Sequence, residues 1–386
     1  MLNGRMTFKK TLSLIATLTM LQFASCDKSR QVEVGEGGFS TFSIDVTAPK
    51  NELYDLIESV EVLQLEETER AMLGSVLNYD LVDGRFFIFD INTNAVIQFS
   101  KEGKYLASFS KTGSGPDEFS FALSYWVDGD SQFMYDSPNG RIQVYSLDGV
   151  FKRSIKLPFG TIESVISDNG KLYLNFNRPI EGKHKYHVLV LNLQGEVVDM
   201  QVPYSYSKRI STTWGYPEVR RNEVGLIQHM VNNDTVYLQQ EGLFKPFVHF
   251  DFGSDWAWEG VEKVESSNDF QRITTQPDKV SSLSPIISKD QIYLSYSVNR
   301  ESPSVLIDVE SGKMVSIKNG YETYRRPLKY ESGRLVFKVD SDRLGELLEG
   351  LAPSQVAFIG GTSLERIETS ENPSLVRVKF KDSAYW

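Results

Sequence analysis

The sequence predicts an all-β chain folded as a six-bladed β-propeller, on three observations. Beyond Glu52, Tyr, Phe, Val and Ile alternate with polar residues in short segments, and a period of two marks half-buried strands. Asp-Gly, Asn-Gly and Ser-Gly pairs punctuate these segments, supplying the residues that tight hairpin turns need. A turn followed by an apolar strand recurs six times at about fifty-residue spacing, the length of a four-stranded propeller blade.

Taken in order, the chain opens on a basic cluster (Arg5, Lys9, Lys10), an apolar run from Thr11 to Phe23, and small residues at Ala24-Ser25. This is the build of a secretory signal peptide over residues 1–25, and the run is too short to span a bilayer comfortably. The only cysteine of the chain, Cys26, follows at once. Phe23-Ala24-Ser25-Cys26 resembles the lipobox of Gram-negative lipoproteins, with Phe23 where an aliphatic residue is usual. The resemblance implies that Cys26 is an acylated first residue and that the protein is lipid-anchored in the bacterial cell envelope, at the outer membrane. Residues 26–50 are rich in Gly, Ser, Glu and Thr and read as a flexible tether, leaving 51–386 for the propeller.

The six turn-plus-strand copies lie at 83–89, 130–135, 169–174, 233–238, 289–294 and 332–337. The next strand and its Gly turn are also legible at 95–103, 141–149 and 186–195. Ile57 to Leu65 precedes the first copy without a partner of its own, and Ser374 to Phe380 ends the chain as a strand. Pairing this N-terminal strand with the C-terminal blade would close the ring and protect its edges. Leu344, Leu347, Leu348 and Leu351 have the spacing of one helical face, with Ser341 or Asp340 as the expected cap, and read as a helix packed on the last blade.

Composition excludes several functions. A formal net charge of −10 over 386 residues leaves no basic footprint for nucleic acid. With no cysteine after Cys26, disulfides and Cys-based zinc sites are ruled out. The four histidines form no His-Glu-x-x-His run, and His184 and His187, if in one strand, face opposite ways. Asp90-Ile91-Asn92-Thr93-Asn94 starts like a calcium loop, but Ala95 and Lys101 stand where glycine and a carboxylate belong, so an Asx-rich hairpin turn is the expectation. Gly113-Ser114-Gly115-Pro116 lacks the Lys-Ser or Lys-Thr of a phosphate cradle and reads as an inter-blade turn. No Gly-x-Ser-x-Gly elbow occurs. We therefore expect no catalytic residue, no metal site and no cofactor.

Phe89-Asp90, Val96-Ile97-Gln98-Phe99, Glu102-Gly103-Lys104-Tyr105 and Gly113-Ser114-Gly115-Pro116-Asp117-Glu118-Phe119 resemble the NHL-related six-bladed β-propeller lipoproteins of Gram-negative anaerobes. Asn233-Asp234-Thr235-Val236-Tyr237, Asp251-Phe252-Gly253 and Asn372-Pro373 extend the likeness over most of the chain, with Asp117 where glycine is commoner. The resemblance implies fold and export rather than an activity. Some related propellers, the gluconolactonase-like enzymes, hold a divalent metal over the channel; that constellation has no residue-by-residue match here.

The longer connections between blades carry the candidate site. Residues 203–222 contain Arg209, Trp214, Tyr216, Arg220 and Arg221; a second connection carries Trp256, Trp258, Phe270 and Arg272; a third carries Tyr324, Arg325 and Arg326. Arginine pairs with carboxylates and stacks on rings, and Trp and Tyr offer flat apolar faces, so these groups suit an anionic ligand. The expected function is a monomeric, envelope-anchored propeller that binds a protein, peptide or glycan without chemistry. The alternative is a metal-assisted hydrolase or lactonase using the central channel.

Overall fold

The structure, a computed structural model, describes residues 33–34, 38–159, 162–176, 185–204, 218–261, 264, 266–318 and 324–386. Residues Gln31–Trp386 form one compact unit. The signal segment and Cys26 lie outside the described residues.

Six sheets follow one another along the chain and make a six-bladed β-propeller. From the inner strand outward, blade 1 is Tyr79–Val82, Arg85–Asp90, Ala95–Ser100 and Tyr105–Phe109. Blade 2 is Ala122–Asp128, Ser131–Asp136, Arg141–Ser146 and Phe151–Lys156. Blade 3 is Ser164–Asp168, Lys171–Asn175, Tyr186–Asn192 and Val197–Pro203. Blade 4 is Val219–Asn222, Gly225–Gln228, Thr235–Gln240 and Leu243–Asp251. Blade 5 is Ser282–Ile287, Gln291–Ser297, Ser304–Asp308 and Met314–Ile317. Blade 6 takes Arg325–Glu331, Arg334–Val339 and Ser374–Phe380, then Ile57–Gln64 from the other end of the chain, in register from Ser374 opposite Gln64 to Phe380 opposite Ile57.

A blade is apolar on both faces, so it is stable only between two neighbours. The buried side chains obey this: each core cluster belongs to two successive blades. Phe87, Val96, Val127 and Tyr145 fill the space between blades 1 and 2. Leu63, Phe86, Val336 and Leu375 do the same between blades 6 and 1. The turn before each outer strand must lie close against the preceding blade. At Gly103 and Gly195, φ is +81° and +87°, and an added Cβ would lie 2.0 Å from the Gln64 carbonyl and 2.4 Å from that of Lys156. Only glycine fits there.

The tether expectation is corrected over residues 38–50. Ser40–Ser43 pairs parallel with Val248–Asp251 on the rim of blade 4, and Lys50–Asn51 pairs parallel with Ser316–Ile317 on blade 5. Phe42 and Ile44 are buried between blades 4 and 5. These two apolar side chains sit in a polar run whose composition hides them. The chain from 38 to 64 is therefore a belt around the rim of blades 4, 5 and 6.

Blade 6 is interrupted between its second and third strands by residues 340–373. The leucine face is present, as a 3-10 turn over Ser341–Arg343 leading into a short α-helix, Leu344–Leu348, with Leu344 and Leu347 in the core between blades 5 and 6. Neither expected cap is made, because both side chains have stronger partners: Ser341 Oγ donates to the Asn372 carbonyl, and Asp340 pairs with Lys338. The insertion also adds Val356–Ile359 parallel to Val60–Leu63. A helix at Ser267–Thr274 carries a capping box between Ser266 and Asp269, a sequence signal that the apolar periodicity alone did not raise.

Candidate functional site

Six inner strands run around the axis, and each carries or receives a polar link to a neighbouring blade. Lys329 of blade 6 donates to the Tyr79 carbonyl of blade 1 at 2.6 Å, with its ammonium 3.7 Å from the Tyr79 ring centroid. Asp80 accepts from the Val127 amide of blade 2 at 2.9 Å. Ser167 of blade 3 accepts from Trp126 Nε1 at 2.8 Å and donates to Asp128 at 2.6 Å, both on blade 2. Arg221 of blade 4 returns to the Ser167 carbonyl and Asp168, at 3.0 and 3.1 Å. Arg220 donates to the Pro285 carbonyl of blade 5 at 2.8 Å. Across the turns, Glu223 of blade 4 accepts from the Gly333 amide of blade 6 at 3.1 Å.

Asp80, Arg220 and Lys329 are each third from the end of their inner strand. Asp80 and Lys329 keep some solvent-accessible surface while surrounded by protein, as expected of side chains on a narrow internal channel. Burial pushes the Asp80 carboxyl up and the Lys329 ammonium down, and the opposite charge of each partly offsets the shift of the other. Sequence reasoning missed both. Asp80 is a lone charge in the apolar strand Tyr79–Val82, whereas Lys329 shares its strand with Arg325, Arg326 and Glu331, and neither is readable until its strand is known to be innermost.

Arg209, Trp214 and Tyr216 lie outside the described residues. The connection that carries them ends earlier than expected: Glu218 is buried, its carboxylate accepting from Asn175, and the inner strand begins at Val219. Arg220 and Arg221 are thus strand residues pointing to opposite neighbours, blades 5 and 3. Tyr324, Arg325 and Arg326 stand at the other end of an inner strand. Arg325 is four register positions further from the strand end than Arg220, roughly 13 Å at the rise of a strand. Around Tyr324 the guanidinium carbons of Arg343 and Arg325 lie 4.5 and 5.7 Å from the ring centroid, and the Tyr324 carbonyl accepts from Asp340 N. Arg325 is buried, and Arg343 is half-exposed and paired with Glu346. In the second connection, Trp256 and Trp258 belong to the core between blades 4 and 5 with Phe270 packed on them, and Arg272 pairs with Asp269 on the helix.

The remaining motifs are structural. Asp90 accepts from Asn92 N, Thr93 Oγ1 and Gly74 N, the expected Asx turn, and Asn94 reaches Ala122 N, Thr112 and Ser120 of the connection to blade 2. The Gly113–Phe119 turn is gripped by one face of a blade 2 strand, Arg141, Gln143 and Tyr145, through the carbonyls of Pro116, Asp117 and Glu118. His187 faces the Phe176 carbonyl and the Tyr204 ring, while His184 lies outside the described residues. The buried His229 donates to the Asn233 carbonyl at 2.9 Å; burial and the nearby Arg220 charge push it down to about 3. Among the described residues no three His, Cys, Asp or Glu side chains are grouped to hold a metal ion.

The sequence profile of a family described as a domain of unknown function, DUF4934, matches residues 41–379. The chain belongs to the DUF4934 family. The match begins at Thr41, inside the belt strand, so this DUF4934 domain includes the rim segment as well as the blades. Among solved structures, the DUF4934 chain is similar to a Bacteroides fragilis protein described as a candidate exported protein, at 16% identity and a TM-score of 0.72, covering 89% of this chain and 100% of that one. It is also similar to a Bacteroides vulgatus member of the DUF4221 family, at 11% identity and a TM-score of 0.53, covering 84% and 97%. At these identities the likeness is one of fold. No curated protein matches the chain.

Proposed function

We propose that this DUF4934 protein is a lipid-anchored propeller of the bacterial envelope that binds a carboxylate-bearing ligand or partner without covalent chemistry. The observation that carries the reading is the stack of Arg343 and Arg325 on Tyr324, with Arg326 next in the chain. Stacking on a ring leaves the in-plane donors of a guanidinium able to meet carboxylate oxygens, as Arg343 already does with both oxygens of Glu346, and a ring at one side limits competition from water. Arg209, Trp214 and Tyr216 have the same chemistry and are assigned to the same proposed site, whereas Arg220 and Arg221, bonded to blades 5 and 3 near the other end of the inner strands, stand apart from it. Export is supported by the signal-like N-terminus and by the Bacteroides fragilis relative, and Cys26 is the residue that would carry the lipid.

Two experiments test the two halves of this reading. A fatty-acid probe fed to cells should label the wild type and not Cys26→Ala, which should also leave the membrane fraction. Equal labelling would remove the anchor. For the site, a fluorescent polyglutamate peptide should bind the soluble domain in a salt-sensitive way, and Arg326→Ala with Arg343→Ala should weaken it roughly tenfold. Binding indifferent to both salt and these substitutions would refute the site.

A further inference from the structure

The outer edges of the blades are treated unequally. Blades 4, 5 and 6 each carry an added parallel strand: Ser40–Ser43, Lys50–Asn51 and Val356–Ile359. Among the described residues, blades 1, 2 and 3 end on their own fourth strand. Two of these bare edges are guarded. The blade 2 edge, Phe151–Lys156, exposes Lys152, Arg153 and Lys156, and cations on an edge disfavour a further strand. The blade 1 edge, Tyr105–Phe109, is five residues long and follows Lys104.

The blade 3 edge has no such guard. Val197–Pro203 contains no cation, and Val197, Val198 and Met200 are 36%, 53% and 39% exposed. Gln201 ties this edge to blade 4, donating to the Gly242 carbonyl at 2.8 Å and accepting from Phe244 N at 2.9 Å. Leu243, 49% exposed, lies between those two partners. The apolar patch is thus continuous with the start of the very strand, Leu243–Asp251, that takes Ser40–Ser43 in parallel. Val202, at φ +54°, leaves the extended backbone and Pro203 has no amide hydrogen, so the usable edge ends at Gln201.

We propose that Val197–Gln201 is a docking edge for an extended segment of a partner protein, which adds as a fifth strand to blade 3. Ser40–Ser43 is the internal precedent for the mode. There the backbone pairs along the rim while one aromatic side chain, Phe42, goes into the core with its ring 6.5 Å from that of Phe250. The same mode on blade 3 calls for apolar residues at alternate positions to meet Val198 and Met200. The only charge on the edge is Asp199, with the exposed Glu196 flanking it, while Glu241 nearby is paired with Lys245 at 3.5 Å; the segment therefore carries basic flanks to meet Asp199 and Glu196. The edge belongs to blade 3, whereas Tyr324, Arg325 and Arg343 belong to blade 6, and docking here does not depend on them.

The test uses a fluorescein-labelled peptide that copies residues 40–44 with one lysine added at each end, titrated against the soluble chain by anisotropy. Saturable binding is expected, and Val198→Lys with Met200→Lys should weaken it at least about tenfold. Because both sites are exposed, the melting temperature of the variant should stay close to that of the wild type. Ser154→Lys, on the already guarded edge of blade 2, should change nothing. Absence of saturable binding, or equal binding by the blade 3 variant, overturns the proposal. So does concentration-dependent dimerisation that the same variant abolishes, which would make the occupant a second copy of this chain.

Discussion

Blades 1 to 3 and blades 4 to 6 are built from the same four-stranded unit but finish differently. The first three are continuous in sequence and end at the rim on one strand of their own. The last three are wrapped by residues 38–64, and blade 6 takes its fourth strand from that segment. A propeller must protect its edges and fasten its first blade to its last. Here one piece of chain does both, which makes half of the ring depend on residues far away in sequence.

The largest expected effect follows from that dependence. Removing residues 1–37 should leave the fold intact, whereas removal through Gln64 strips blade 6 of its fourth strand and opens the core shared with blade 1. We expect the longer deletion to abolish cooperative unfolding, followed by circular dichroism. If it melts like the shorter one, the ring does not need the belt.

A smaller effect separates the two halves by point substitution. Phe42 is 1% exposed in the belt, and Leu106 is 48% exposed on the bare edge of blade 1. Phe42→Ala should cost about 3–5 kcal/mol, and Leu106→Ala less than about 0.5 kcal/mol, in denaturant unfolding. Equal costs would mean that the belt strand adds no core.

The smallest effect is one of pH. His229 and His249 both lie in blade 4 and shift in opposite directions. His229 is held down from its ordinary value of 6.5 to about 3, so the unfolded chain binds the extra proton first. Its contribution is whole above 6.5 and is lost as pH falls toward 3. Asp234 beside His249 holds that imidazole above its ordinary value, so its contribution is present below that value and disappears as pH rises through the folded one. His229→Gln should therefore flatten the acid limb of the stability profile and leave the alkaline side unchanged. A profile with the same acid limb in the variant would assign the acid loss to other groups.

The same contrast explains what could be read from the sequence. The blade pattern stands out because turns such as Asp83-Gly84 and Asn169-Gly170 need left-handed φ, which restricts the residue types at each repeat. The belt was hidden because two buried residues, Phe42 and Ile44, are too few to show a period. The site was only half legible. Tyr324, Arg325 and Arg326 cluster in sequence, whereas Asp80 and Lys329 come together only through the ring. Arg220 and Arg221 looked like loop residues because their strand, Val219–Asn222, is four residues long and mostly polar.

Amide hydrogen exchange reads the difference between the two halves most directly, because an added strand protects outward-facing backbone groups that a bare edge leaves to solvent. In the wild type, Val248–Asp251 and Ser316–Ile317 should exchange more slowly than the outer strands of blades 2 and 3, Phe151–Lys156 and Val197–Pro203. Deleting residues 1–51 should raise exchange in the first pair of segments to the level of the second and leave blades 2 and 3 unchanged. Equal protection of all outer strands in the intact protein would contradict the belt, and with it the division of the ring into a wrapped half and a bare half.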